Sequence, residues 1–300
     1  MVEAISLINN SINNNTIGGT QLDINMDNRA YVLTSIDWGA IQSTRKTYKF
    51  INQIGVYVTG TTLESRDISI IGYVVGDTYE QLKTRKRFLN QFVNPLQMLS
   101  LVYEDYMIDG IPDTTIKYGT DLAENNEVMC KFMIDLFCPD PMFYTRNARE
   151  VILADWIPKF HFPLIIPKTK GIIMGLRSQS TIITVNNPGM LETGLTATFY
   201  ARGTVVNPSI TNIATQKKIQ FAHTMQPGET LEVTTYTNRK AVRKYTGESS
   251  ENAFNLIDFE SNEFIQLILG ENPLRYNADE GISNLEVTIQ FKPQYLEVQE

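Results

Sequence analysis

The stretch IGVYVTGTTLESRDISIIGYVVGDTYEQLKTRKRFLNQFVNP, from Ile54 to Pro95, decides how the first half of this chain is read. Ile54, Val56 and Val58 alternate with Gly55, Tyr57 and Thr59, the period-2 pattern of a strand with one buried face. Gly60-Thr61-Thr62 interrupts that pattern. A second run, Ile68-Ser69-Ile70-Ile71-Gly72-Tyr73-Val74-Val75, is apolar enough for burial on both faces. The two runs read as a hairpin. Gly76-Asp77 ends it and opens a helix, with Asp77 and Glu80 at capping-box spacing. Tyr79, Leu82, Leu89, Phe92 and Val93 then share one broad helical face, with Phe88 on its edge. Asn94-Pro95 stops the helix, because the residue before proline is pushed out of the α region.

Upstream of this stretch the pattern is weaker. Asn9, Asn10, Asn13, Asn14 and Asn15 surround Ile12, and Gly18-Gly19 follows, which suggests turns between short strands. Tyr31-Val32-Leu33 and Ile36-Asp37-Trp38 read as strand pieces, and Thr44 to Lys49, with Arg45, Lys46 and Lys49, as an exposed edge or loop. Downstream, Leu99 to Tyr103 and Tyr106 to Ile108 are strands joined by the turn Glu104-Asp105, and Thr114 to Tyr118 is another. Asp121 to Asn126 is a polar loop. Val128, Cys130, Phe132, Ile134, Leu136 and Cys138 then mark one apolar strand face. The two cysteines lie eight residues apart on that strand, about 26 Å at the usual rise, so they do not pair with each other. They read as buried free thiols of a reducing compartment.

Pro139, Pro141, Pro158, Pro163 and Pro167 crowd the following segment, and proline removes ladder donors. It reads as a connecting arm over residues 141–178, between an N-terminal β-rich α+β domain of residues 1–140 and a C-terminal domain of residues 179–300. From Ser180 on, short strands and turns recur at the spacing of a sandwich. They are Thr181 to Val185, Leu195 to Tyr200, Leu231 to Thr235 after Pro227-Gly228, Phe264 to Leu269 stopped by Gly270, and Leu285 to Phe291. The fold class expected is therefore mainly β, ending in a jelly-roll-like sandwich whose final strand can pack back on the first domain.

The chain of 300 residues carries a net charge of −7 and no apolar run of bilayer length. Its N-terminus lacks the basic and apolar regions of a secretory signal, which points to folding in a cytoplasm. The negative balance argues against sequence-independent nucleic-acid binding, which needs a basic face. His161 and His223 have no second ligand at zinc spacing. No phosphate loop, dinucleotide fingerprint or nucleophile elbow occurs. Carboxylates are available at Glu104-Asp105, Asp135, Glu260 and Glu263, but nothing pairs them as a glycosidase would require. No enzyme, metal or cofactor is expected. Two basic runs stand out, Lys83/Arg85/Lys86/Arg87 and Arg239/Lys240/Arg243/Lys244. Each reads as a solvated face or as a charged subunit contact, with acidic loops such as Asp121 to Glu127 as the matching surface.

The order of parts resembles the distal tail proteins of siphophages. The likeness rests on Arg66-Asp67-Ile68-Ser69-Ile70-Ile71-Gly72 running into the helix with Leu82, Arg85, Leu89 and Asn94-Pro95, and on Cys138-Pro139-Asp140-Pro141-Met142-Phe143. In the second half it rests on Asn187-Pro188-Gly189, Asn207-Pro208-Ser209-Ile210, Pro227-Gly228-Glu229, Leu269-Gly270-Glu271-Asn272-Pro273 and Lys292-Pro293-Gln294-Tyr295. The resemblance implies a virion protein at the distal end of the tail, assembled in the host bacterial cytoplasm. Six copies would form a ring, through the N-terminal domain, that joins the tail tube protein to the hub or tail-associated protein. The tape-measure protein would be a neighbour, and DNA would pass through the ring without specific binding. A galectin-like sandwich would project outward and hold receptor-binding parts. A tail-like bacteriocin could use the same component. In this setting Lys83 and Arg87, one helical turn apart, become a candidate subunit contact. In the alternative, a carbohydrate-binding module touching host cell-wall sugars, Tyr200, Tyr236 and Tyr245 are the candidate contacts, set against core packing.

Overall fold

A computed structural model describes residues 4–9, 21–52, 54–153, 156–158, 175–177, 181–237, 239–258 and 263–298. The chain divides into two compact units, residues 1–146 with 295–300, and residues 147–294. The division falls between Arg146 and Asn147, within the stretch read from the sequence as a connecting arm. Phe143–Thr145 belongs to the first unit's sheet and Arg149–Ile152 to a sheet of the second, so prolines at 139 and 141 precede strands and do not mark a free linker.

The first unit is built on a ten-stranded sheet. Its order is Gln294–Tyr295, Phe143–Thr145, Tyr106–Pro112, Leu99–Tyr103, Ala4–Asn9, Gln21–Asn25, Tyr31–Asp37, Arg66–Val75, Met129–Cys138 and Lys117–Tyr118. Tyr106–Pro112 also pairs with Met129–Cys138 at Leu136↔Pro112 and Phe137↔Ile111, which curls the sheet back on itself into a barrel-like form. Ala4–Asn9 and Gln21–Asn25 are strands in the region whose periodicity was too weak to parse. At the centre, every second residue of Arg66–Val75 is buried, with Ile68, Ile70 and Val74 at 0% exposure. Gly72 is required there: a Cβ would lie 2.4 Å from the Val32 carbonyl oxygen and 2.8 Å from the Phe132 ring.

The hairpin expected between Ile54 and Val75 does not form. Both edges of Arg66–Val75 are occupied, by Tyr31–Asp37 and by Met129–Cys138. Tyr57–Leu63 pairs instead with the preceding strand Ser43–Tyr48, in a separate two-stranded ribbon that runs through Gly60-Thr61-Thr62 without a break. The face expected to be buried is in water: Ile54, Val56 and Val58 are all more than half exposed.

The helix Tyr79–Phe92 forms where its apolar spacing places it and buries Leu82, Leu89 and Phe92. Its start lies one residue later than the capping reading. Thr78 is the N-cap, receiving the Gln81 N–H on Oγ1 at 3.3 Å, and Gln81 Oε1 receives the Asp77 N–H at 2.7 Å. A threonine hydroxyl with a glutamine three residues on does the work assigned to Asp77 and Glu80. Tyr79 therefore faces outward, 59% exposed. At the other end, the buried Asn9 side chain donates to the Phe92 carbonyl at 3.0 Å and to Gln97 Oε1 at 2.8 Å, satisfying one of the orphan acceptors of the last turn. Cys130 and Cys138 are buried free thiols, and burial pushes Cys138 up to about 12.

The second unit is a two-sheet sandwich. One sheet runs Arg149–Ile152, Leu285–Phe291, Thr196–Ala201, Glu229–Thr234, Ala241–Thr246 and Ser249–Asn252; the other runs Ile182–Asn187, Gly270–Asn277, Ser209–Asn212 and Lys217–Gln220. Phe199, Phe221, Leu231, Leu274, Val287 and Phe291 are among the side chains filling the space between. The turn at Pro227-Gly228 has the positive φ of glycine, +85°, and closes with Glu229 N–H to the Gln226 carbonyl at 3.0 Å.

Phe264 to Leu269 is not the strand its apolar run suggests. Gly270, expected to stop it, opens the Gly270–Asn277 strand. The segment is irregular and its backbone is held by buried side chains. Asn272 accepts the Ile268 N–H and donates to the Ile268 and Gly270 carbonyls at 2.8 and 2.9 Å; Asn187 donates to the Leu267 carbonyl at 3.1 Å, and Thr235 to the Ile265 carbonyl at 2.7 Å. Beside a single backbone bridge, Leu267 with Thr193 at 2.8 and 3.0 Å, side-chain amides and a hydroxyl take the place of a continuous ladder, since buried backbone groups need partners from somewhere.

Candidate assembly surface

The most exposed apolar surface among the described residues is the ribbon of Ser43–Tyr48 and Tyr57–Leu63. Only Gly60, among the residues of its two strands, is even half-buried. Backbone pairing runs from Ser43↔Leu63 to Tyr48↔Tyr57, with an irregularity between Lys46 and Thr47. Thr59 Oγ1 donates to the Lys46 carbonyl at 3.0 Å across it. Near the tip, Phe50 stands edge-on to both Tyr48 and Tyr57, ring centroids 4.7 and 6.1 Å away. Tyr48, Phe50, Ile51, Ile54, Val56, Tyr57 and Val58 are each 54–101% exposed. An aromatic side chain carries ~150–250 Å² of surface, so the three rings alone present roughly 250–400 Å² to water. With the four aliphatics added, the group exceeds the apolar patch a monomer ordinarily leaves uncovered. A two-stranded ribbon standing alone is also marginal in water. Arg45, Lys46 and Lys49 lie along it, and no carboxylate occurs between Ser43 and Leu63.

The helix's basic run separates into two pairs. Lys83 and Arg87 are exposed on its outer face. The other two are structural. Arg85 Nη1 donates to the carbonyls of Arg29, at 3.0 Å, and Val75. Lys86 Nζ lies 3.4 Å from Cys130 Sγ and 4.3 Å from the centre of the Tyr118 ring. Tyr31 donates its hydroxyl to the Arg85 carbonyl, and burial raises its pKa to about 12 although Arg85 pulls the other way. Arg66, 2% exposed, donates to the carbonyls of Trp38 and Leu296 and stands 4.6 Å over the Phe143 ring. It pins the C-terminal residues to the first unit.

The loop after Tyr118 is acidic. Asp121, Leu122 and Glu127 are exposed, Leu122 by 88%, and Val128 beside them by 47%. Glu124 is already engaged with Lys131 Nζ at 2.6 Å.

On the sandwich, Tyr200 and Tyr245 both pair across to Thr230, one from each side, so the three lie in a row on the outward face of the six-stranded sheet. Tyr200 is 39% exposed, and Tyr245 donates to Glu232 at 3.4 Å. Tyr236 lies apart from them: half-buried, its oxygen accepts the Lys292 N–H at 3.1 Å, and burial raises its pKa. The remaining polar candidates do not converge. His223 Nε2 is 2.6 Å from Glu229 Oε1, whose second oxygen accepts the Gln226 N–H, clasping the Pro227-Gly228 turn. Asp135 accepts from Lys117 and Ser69, both at 2.7 Å, Glu263 pairs with Lys217 at 3.3 Å, and Glu104 sits in its hairpin turn with φ +50°. His161 and Glu260 lie outside the described residues. Among the described residues no group of three metal-ligating side chains occurs, and no helix is long and apolar enough to cross a membrane.

Among the described residues the polar candidates of the barrel-like first unit and of the sandwich do not converge, and the first unit carries a large exposed apolar ribbon. Residues 20–138 match the family described as phage tail protein RIFT-related domain, and residues 188–295 match siphovirus-type tail component, C-terminal domain. The chain belongs to the siphophage distal tail protein family, and is a structural component of the phage tail and baseplate. No curated protein matches it. Among solved structures it is similar to the Dit protein of phage SPP1, described as a paradigm of the hub adsorption apparatus in phages infecting Gram-positive hosts. The identity is 13% and the TM-score 0.64, over 97% of this chain and 99% of that one. It is also similar to a chain of the phage P2 baseplate in its activated conformation with calcium, at 14% identity and a TM-score of 0.56, over 99% and 100%. At such identity these two likenesses carry the fold.

Proposed function

We propose that the chain is a ring-forming adaptor at the distal end of a siphophage tail. Six copies join the tail tube to the hub and anchor receptor-binding parts, with the tape-measure protein as a neighbour and DNA passing through unbound. The observation that carries this reading is the ribbon of residues 43–63, whose apolar side chains stand exposed among the described residues of one copy. Family membership supports a setting in the phage tail, and the fold likeness to a baseplate chain supports the adaptor role. Lys83 and Arg87 are offered as a further subunit contact on the helix's outer face. The test is the mass of the purified full chain by analytical ultracentrifugation, with micrographs. Six-fold rings are expected. A monomer at every concentration that also fails to bind tube and hub proteins would overturn the reading. Reversing Arg87 to Glu should weaken the ring and leave the fold intact.

A second reading has one specific support, the row of Tyr200, Thr230 and Tyr245 on the open sheet face. Two rings two strands apart, about 10 Å, with a hydroxyl between them suit stacking on alternate sugar residues of a glycan chain. Tyr236 contributes less, because its hydroxyl is engaged. Binding of the full chain to host cell-wall polysaccharide, lost on Tyr200→Ala with Tyr245→Ala, is the expected result. Binding unchanged by the pair would remove it.

A further inference from the structure

We propose that Lys86 and Cys130 are a modification site, at which oxidation by peroxide joins the lysine nitrogen to the cysteine sulfur and ties the helix covalently to the sheet. The site lies within one copy and holds whatever assembly the chain enters.

The geometry brings an amine to a thiol from two different elements. Lys86 Nζ, on the helix Tyr79–Phe92, lies 3.4 Å from Cys130 Sγ, on the strand Met129–Cys138. That is within the range of about 3–3.5 Å from which two bound groups react. The amine is held there by the Tyr118 ring, 4.3 Å away, whose hydroxyl is fixed in turn by Asn90 Oδ1 at 2.9 Å. The thiol donates toward the Lys131 carbonyl at 3.5 Å, which turns its hydrogen away from Lys86 and leaves sulfur lone pairs on the amine side. Lys117, Lys131, Lys217 and Lys244 each have a carboxylate partner. Half-buried Lys86 has none among the described residues; its partners are the sulfur and the ring. Cys138 supplies the internal comparison. It lies on the same strand at the same 0% exposure, but the cation beside it is the Arg66 guanidinium, which keeps its proton and offers no free amine.

The chemistry balances with peroxide as oxidant. Hydrogen peroxide takes two electrons from the Cys130 sulfur and gives the sulfenic acid and one water. Lys86, its ammonium proton released to solvent, attacks that sulfur through the Nζ lone pair. The S–N bond forms as the S–O bond breaks, and the departing hydroxide takes an amine proton and leaves as the second water. In sum one peroxide becomes two waters, and the thiol and the amine lose one hydrogen each. A thiol reductant reverses the step by attacking sulfur and returning the amine. The link spans 44 residues of sequence, so it restricts the unfolded chain as a disulfide of that loop length would.

Peroxide treatment of the full-length folded chain, then denaturation, thiol blocking, chymotryptic digestion and mass spectrometry, tests the site. A joined pair of peptides is expected, two hydrogens lighter than their sum, with fragmentation placing the link at Lys86 and Cys130 and with dithiothreitol separating them. Cys138 should stay free. The melting temperature should rise by about 5–10 °C and fall back on reduction. Lys86→Arg, which keeps the cation over Tyr118, should show neither the link nor the rise. Cys130 recovered unmodified, or as sulfinic acid with Lys86 free, would overturn the proposal. So would a link formed equally well in the urea-unfolded chain, because proximity in the fold would then play no part.

Discussion

Tyr57–Leu63 and Arg66–Val75 are neighbours in sequence, separated by Glu64 and Ser65, and both are strands rich in β-branched and aromatic residues. The first is exposed almost throughout, and the second has one face wholly buried and the other half-buried. The difference does not lie in propensity, since both have the composition to extend. It lies in what each strand finds beside it. Arg66–Val75 is inserted between two long strands and over the helix, whereas Tyr57–Leu63 meets only Ser43–Tyr48. Propensity makes the strand; long-range partners decide whether its side chains are core or interface.

The largest expected effect separates these two fates. Ile70→Ala removes a side chain with 0% exposure from the centre of the sheet and should cost about 2–5 kcal/mol of stability by lost burial and a residual cavity. Ile54→Ser, at a position 101% exposed, should move the stability of the isolated chain by less than about 0.5 kcal/mol but weaken ring assembly. Denaturant titration of both variants, with sedimentation of the second, checks the pair. Equal losses of stability would show that the ribbon is core after all.

How much of this was legible in the sequence follows from the same contrast. Arg66–Val75, the helix, the cysteine-bearing strand, the Pro227-Gly228 turn and the strand Leu285–Phe291 all carry a local period or a turn residue, and each forms, although Tyr79 faces outward and Val128, read on the apolar face of the cysteine strand, lies just outside it and is 47% exposed. Partner choice has no local signature, so the Ile54–Val75 hairpin was misassigned, and with it the buried face of Ile54, Val56 and Val58. Asp77 and Thr78 are both good N-caps, and only the Gln81 contacts select the second. Of the surface residues, the separation of Lys83 and Arg87 from Arg85 and Lys86 was implicit in helical spacing. The apolar exposure around Phe50 was not, because an exposed strand and a half-buried one read alike. The exposure of Leu122 was equally silent, one apolar residue in a polar loop.

A second contrast lies inside the sandwich, between strands stitched by ladders and the segment 264–269 held by side chains. Asn272→Ala would strip partners from the Ile268 N–H, the Ile268 and Gly270 carbonyls and the Asn212 amide. With the Asn212 contact buried and the others half-buried, the expected loss is about 1–3 kcal/mol. Faster hydrogen exchange over residues 264–270 should accompany it, leaving Leu285–Phe291 protected. A substitution that lowered protection evenly through both would mean that the segment is no weaker than the ladders. Below this comes the helix cap: Thr78→Ala should cost ~1 kcal/mol, where Asp77→Ala, one residue outside the helix, should cost less.

The smallest effect is expected at Asp135, whose strand Met129–Cys138 is buried along one face while Asp135 points from the other. Burial works against its charge, but hydrogen bonds from Lys117 and Ser69 and the Lys117 charge hold its carboxyl below the usual carboxylate range. A folded pKa below the unfolded one means that the carboxylate stabilises the fold at pH above the unfolded value, near 4. That contribution is lost as pH falls through the depressed folded value. Lys117 is largely exposed, so solvent screens the pair and the contribution is small. Asp135→Asn should therefore melt slightly below the wild-type chain at pH 7, by less than Thr78→Ala, and the two curves should converge on acidification below pH 4. A gap that persisted or widened in acid would show that Asp135 acts through packing on the sheet face and not through its charge.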